Sequence, residues 1–69
     1  MRVDTDRLRV KIKEQRMTQR SLSRAMSIDK STFSRKMKSD ALDFTIGEMH
    51  LIADVLNLSK QEAREIFLA

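Results

Sequence analysis

An apolar residue, then a Ser, Thr or Asp, then three residues and a second apolar residue: this six-residue pattern marks five candidate helix starts along the chain. It reads Val3-Asp4…Leu8, Met17-Thr18…Leu22, Ile28-Asp29…Phe33, Phe44-Thr45…Met49 and Leu58-Ser59…Ala63. A side-chain oxygen at such a position takes up backbone N–H groups that the start of a helix leaves without partners, and the flanking apolar pair clamps the chain's entry. Five helix starts in 69 residues leave room only for short helices and short connections. Apolar residues then continue at helical spacing behind each start. Leu8 and Ile12 form the stripe of the first helix, which is expected to end near Arg16. Leu22, Ala25 and Met26 continue the second, Phe33 and Met37 the third. Met49, Ile52, Ala53 and Leu56 follow the Thr45/Glu48 capping box of the fourth, and Ala63, Ile66 and Phe67 complete the fifth, which Ser59 and Glu62 cap.

Composition closes the alternatives. There is no proline, and Gly47 is the single glycine, so the chain lacks the residues that hairpin turns and Gly-rich phosphate loops require. With no cysteine and one histidine, His50, it holds no disulfide framework, zinc finger, iron–sulfur site or cysteine nucleophile. A chain this short buries only ~60% of the surface it exposes when unfolded, which argues against a catalytic cleft between domains. We read an all-α fold, a single domain over residues 1–69, with no enzymatic activity, cofactor or metal. The charged start Met1-Arg2-Val3-Asp4 and the lack of an apolar run near 18 residues argue against a secretory signal and a membrane span, and place the protein in the cytoplasm.

The net charge of +4 is unevenly distributed. Residues 1–38 hold 12 Lys/Arg against 4 Asp/Glu, whereas residues 39–69 hold 2 against 6. A basic half of this kind is the footprint of a polyanionic partner, nucleic acid first among them. Other chemistry finds little support. His50 has no second histidine for a metal site and reads as a partly exposed packing residue beside the buried face of the fourth helix. Asp40/Asp43 and Glu62/Glu65 read as solvated charge, the first pair within a Ser39–Asp43 loop expected to be mobile. Met17, Met26, Met37 and Met49 fall at core positions.

Only Ser27 and Ile28 separate the end of the second helix from the cap of the third, a spacing that joins two helices at a steep angle. Residues 18–39, Thr-Gln-Arg-Ser-Leu-Ser-Arg-Ala-Met-Ser-Ile-Asp-Lys-Ser-Thr-Phe-Ser-Arg-Lys-Met-Lys-Ser, resemble the helix-turn-helix of the Cro and repressor proteins of lambdoid phages and their bacterial relatives. Thr18-Gln19 is similar to that family's opening pair, Leu22 and Met26 to its apolar positions, Ser23 to the small residue where two helices cross, Ile28 to the buried residue of the turn and Phe33 to the anchor of the recognition helix. Phe44-Thr45-Ile46 through Leu56-Asn57-Leu58-Ser59 resembles its fourth helix and the start of its fifth. The resemblance implies a compact five-helix lambda repressor-like bundle. Ser27 and Arg16 stand where the family often has glycine, and Lys36 at a commonly apolar position, so Met37 is expected to take over that packing.

With Phe33 and Met37 as the buried centre of the third helix, a rotation of about 100° per residue puts Ser31, Arg35 and Lys38 on the far side and Thr32 and Ser34 on the flanks. In helix-turn-helix docking the N-terminus of the recognition helix enters the major groove. Lys30, Ser31, Thr32, Ser34 and Arg35 are therefore the candidate base contacts, Arg35 foremost because arginine pairs bidentately with guanine. The sequence leaves open whether Arg35 ends on a base or a phosphate. Gln19 resembles the family residue that holds the DNA backbone, helped by the helix N-terminus. Thr18, read first as a cap, and Arg20, Arg24, Lys36 and Lys38 complete the candidate phosphate contacts.

The function implied is that of a sequence-specific double-stranded DNA-binding transcriptional regulator, a Cro-like repressor of a phage or mobile element. The alternative is a protein-interaction module on the same fold, which holds another regulatory protein and binds little or no DNA. Leu51 and Val55 look like a second apolar row on the fourth helix, and the chain finishes Ile66-Phe67-Leu68-Ala69. Leu51, Val55, Ile66 and Leu68 are thus the candidate patch for a homodimer, which would call for an inverted-repeat operator.

Overall fold

Side-chain caps open four of the five expected helices. Asp4, Thr18, Thr45 and Ser59 each accept the backbone N–H three residues on, at 3.0, 3.1, 3.0 and 3.1 Å. At the last three the box is reciprocal, since Ser21, Glu48 and Glu62 accept the N–H of the cap residue at 2.9, 2.9 and 3.0 Å. The computed structural model describes residues 3–39 and 43–68, and these form α1 (Thr5–Glu14), α2 (Gln19–Ala25), α3 (Lys30–Lys38), α4 (Ile46–Val55) and α5 (Lys60–Phe67). Asp29 is the exception. It stands at the cap position of α3 with extended backbone, but its side chain makes no cap hydrogen bond.

Three connections share one design. Gln15-Arg16-Met17-Thr18, Met26-Ser27-Ile28-Asp29 and Leu56-Asn57-Leu58-Ser59 each run from the C-cap residue of one helix, through a left-handed residue, to an apolar residue and the N-cap of the next. The left-handed residues are Arg16 at φ 56°, Ser27 at φ 61° and Asn57 at φ 54°. Each junction carries the paired hydrogen bonds of a Schellman motif. Met17, Ile28 and Leu58 N–H donate to Ile12, Ser23 and Ala53, while Arg16, Ser27 and Asn57 N–H donate to Lys13, Arg24 and Asp54, all between 2.8 and 3.1 Å. The apolar residue of each junction therefore closes one helix and staples the next. Met17, Ile28 and Leu58 all pack against the core. Of the Ser39–Asp43 loop, residues 40–42 lie outside the described residues, and with them Asp40 of the proposed Asp40/Asp43 pair.

The core gathers Leu8, Ile12, Leu22, Met26, Phe33, Met37, Phe44, Ile52, Leu56, Ile66 and Phe67, closed at one edge by Val3. α2 packs on α3 and α4, and α1 lies along α5. The Asp4 N–H donates to the Ile66 carbonyl at 2.7 Å, which pins the start of α1 to the end of α5. Two ion pairs reinforce this contact, Arg7 to Glu65 at 2.6 Å and Lys11 to Glu62. Glu62 and Glu65 are therefore partners of α1 and not free solvated charge, because α5 lies beside the helix that carries both cations. No helix among the described residues is long and apolar enough to cross a membrane.

Candidate nucleic-acid interface

α3 divides cleanly into two faces. Phe33 is fully buried, its ring centroid 5.4 Å from that of Phe44, and Met37 is buried beside it. Ser31, Arg35 and Lys38 point away and are exposed, Thr32 and Ser34 are half-buried on the flanks, and Lys30 is exposed at the N-terminus. The five candidate base contacts thus share the outward half of one nine-residue helix.

α2 holds that helix in place. Leu22 is fully buried, and Ser23 is 1% exposed with its hydroxyl donating to the Arg20 carbonyl at 2.7 Å. The hydroxyl is satisfied within its own helix, and the small side chain occupies a position where a larger one would separate α2 from its neighbours. Gln19 is the first residue of α2 and half-buried, while Arg20 and Arg24 are exposed. The Thr18 hydroxyl accepts the Ser21 N–H as a cap.

Ion pairing sorts the basic residues into two groups. On α1, Arg7 pairs with Glu65 and Asp4, Arg9 with Asp6 at 3.7 Å, and Lys11 with Glu62 and Glu14. From Lys13 to Lys38, Lys36 alone has an acidic partner within 4.0 Å among the described residues. Lys36, one of the candidate phosphate contacts, has its ammonium donating to both carboxylate oxygens of Glu48 at 2.7 and 2.9 Å and lying 5.7 Å from the centre of the Phe44 ring. The ammonium, with the Thr45 N–H after it, holds the Glu48 carboxyl below the usual carboxylate range. Lys36 therefore ties α3 to the start of α4, and the unpaired cations run on from the end of α1 through α2 to the outer face of α3.

A family model described as the Cro/C1-type HTH DNA-binding domain matches residues 7–65. The chain belongs to the Cro/C1-type helix-turn-helix family. No curated protein and no solved structure matches it. As a Cro/C1-type domain it is a DNA-binding domain, and the matched span contains α2, α3 and α4 whole.

The candidate dimer patch is only partly at the surface of this Cro/C1-type domain. Leu51 is 43% and Leu68 56% exposed, but Ile66 is fully buried and presents nothing to a partner. Its side chain completes the core where α5 meets α1, with Phe67 buried next to it in sequence. Val55 is half-buried and packed against the core. At about 100° per residue it lies only some 60° around α4 from Ile52, too close to form a row on the opposite side. His50 is exposed and takes no part in the core. Among the described residues no three His, Asp or Glu side chains gather as a metal-ligand set.

Sequence reasoning missed the long-range ion pairs and two local features. The Thr18/Ser21 box and the left-handed Asn57 had local signals, a hydroxyl three residues after the cap and an asparagine followed by an apolar residue and a capping serine. The Lys36–Glu48 pair had only the oddity of a lysine where an apolar residue is common.

Proposed function

We propose that this Cro/C1-type domain is a sequence-specific regulator of transcription, a Cro-like repressor of a phage or other mobile element that acts in the cytoplasm and reads the major groove with α3. The single observation that carries the reading is the outward stripe of α3. Lys30, Ser31 and Arg35 are exposed and polar, and the two cations have no acidic partner among the described residues. Arg35 suits a guanine edge; Ser31, Thr32 and Ser34 suit several bases or a thymine methyl. Gln19 and Thr18 at the start of α2, with Arg20, Arg24 and Lys38 on the rims, supply backbone contacts. The repressor role and the link to mobile elements rest on the likeness to phage Cro and repressor proteins.

The longest dimension of the domain is 27 Å, shorter than the ~34 Å between successive major-groove faces on one side of DNA, so one copy covers one half-site. A homodimer through Leu51 and Leu68, with Val55 at its margin, accounts for their exposure and calls for an inverted-repeat operator. The interaction-module alternative draws on the same exposed side chains together with Val10 and Ile46, 52% and 76% exposed. Selection of retained sequences from a random duplex library at moderate salt tests the proposal. A shared motif whose strongest position loses its preference in Arg35→Ala is the expected result. Retention without any motif, or no retention at low salt, favours the interaction module.

A further inference from the structure

The junction between α1 and α2 places a charged side chain where backbone geometry favours none. Arg16 is exposed at φ 56°, held left-handed by its own N–H on the Lys13 carbonyl at 2.8 Å and the Met17 N–H on Ile12 at 3.0 Å. Glycine takes that conformation without strain. The arginine finds no compensating partner inside the protein, since no carboxylate among the described residues lies within 4.0 Å. A cation at the end of α1 complements the helix dipole, but Lys11 and Lys13 already stand in that last turn.

The pairing pattern along α1 has a direction. Arg7, Arg9 and Lys11 are matched by carboxylates, two of them from α5, whereas Lys13 and Arg16, at the end that leads into α2, are not. Arg16 also lies two residues before the cap of α2 and three before Gln19. An arginine there carries a rigid fork of donors suited to the oxygens of a phosphodiester.

We propose that Arg16 is a further DNA-backbone contact, which donates to the phosphodiester beside the one held by Gln19 and extends the binding surface onto the end of α1. This rests on the reading that α2 and α3 bind duplex DNA. The contact is blind to sequence, because phosphates are alike at every base pair. Strain at Arg16 is then offset only in the complex, so stability and affinity respond to substitution in opposite directions.

The test uses the full chain and its Arg16→Gly and Arg16→Lys variants, with two duplexes of equal length, one retained in the library selection and one of random sequence. Each is titrated at 0.1 and 0.3 M salt, and thermal unfolding is followed without DNA. One phosphate contact contributes about 0.9 to the slope of log affinity against log salt. Arg16→Gly is therefore expected to bind both duplexes about eightfold more weakly at 0.1 M and about threefold more weakly at 0.3 M, while unfolding at a higher temperature than the wild type. Arg16→Lys keeps the slope. Wild-type affinity and slope in Arg16→Gly overturn the proposal, and so does a loss confined to the selected duplex. In either case an intact effect of Arg35→Ala leaves the helix-turn-helix reading standing. If the wild type binds neither duplex at low salt, that reading fails and the Arg16 contact fails with it.

Discussion

Ser27 holds the turn between α2 and α3 at φ 61°, and replacing it with glycine should stabilise the protein without altering the turn. The left-handed region costs a residue with a Cβ about 1–2 kcal/mol. Glycine removes that cost but returns about 0.5–1 kcal/mol of backbone freedom to the unfolded chain. The conformation itself is set by hydrogen bonds that glycine keeps, Ser27 N–H to Arg24 and Ile28 N–H to Ser23, both at 3.0 Å. Ser27 is exposed, so loss of its hydroxyl leaves no buried group unsatisfied. The net expectation for Ser27→Gly is a gain of about 0.5–1 kcal/mol, a rise of about 2–8 °C in melting temperature for a chain of this size.

Ser27→Ala is the control, because it removes the hydroxyl and keeps the Cβ; it should sit within about 0.3 kcal/mol of the wild type, well inside the range of surface substitutions. Asn57→Gly should gain less than Ser27→Gly, since asparagine tolerates the left-handed region better than serine. Urea and thermal unfolding of the four proteins by circular dichroism measure the series. If Ser27→Gly is no more stable than Ser27→Ala, the strain attributed to the turn does not exist.

Other expectations follow from the ion pairs and the exposed leucines. Lys36→Met should leave the salt slope of DNA binding unchanged while lowering stability by about 1 kcal/mol, the upper range for such a pair; a slope shallower by about 0.9 would return Lys36 to the phosphates. The Glu62 carboxyl is pulled down to about 2 by the Lys11 ammonium, then by the Ser59 N–H and hydroxyl. A folded-state value below the unfolded one means that this stability is present above about pH 5 and is lost as pH falls toward 2. Urea midpoints between pH 6 and 2 should therefore fall less steeply in Glu62→Gln, and parallel curves would refute the assignment. Leu51→Glu and Leu68→Glu should weaken binding to a palindromic duplex and leave binding to a half-site unchanged. A wild type that sediments as a monomer with and without DNA, and binds both duplexes equally, rules out the dimer.

The helices were legible because their determinants are local. A cap, an apolar clamp and a 3.6-residue stripe all fall within a dozen residues, and Asp4, Thr18, Thr45 and Ser59 behave as their spacing implies. Asp29 shows the limit of that reasoning. The same residue type at the same spacing caps α1 through Asp4 and leaves α3 uncapped, because whether a carboxylate turns to the backbone or stays with water depends on surroundings the spacing does not encode. The outward stripe of α3 was equally legible once Phe33 and Met37 were taken as its anchors, as burial of one face settles exposure of the other.

Charge was legible in sum and not in partnership. The basic half of the chain is plain from the sequence, but which cations remain open depends on carboxylates far away in the chain. Lys11 and Glu62 are 51 residues apart and Arg7 and Glu65 are 58. Ile66 fails as a dimer contact for the same reason, since only the packing of α5 on α1 decides which side of a terminal apolar run faces inward. Subtracting the paired cations changes what the basic half can do. Arg7, Arg9, Lys11 and Lys36 bind the protein to itself, and the charge left over follows one path from the end of α1 across α2 to α3. On α5, Lys60 and Arg64 are also exposed and without an acidic partner within 4.0 Å among the described residues, so the open charge of α2 and α3 stands out by its number and not by exclusion of the rest. The acidic residues thus fasten α1 to α5 and α3 to α4, and in doing so remove Arg7, Lys11 and Lys36 from the charge that the basic half leaves open.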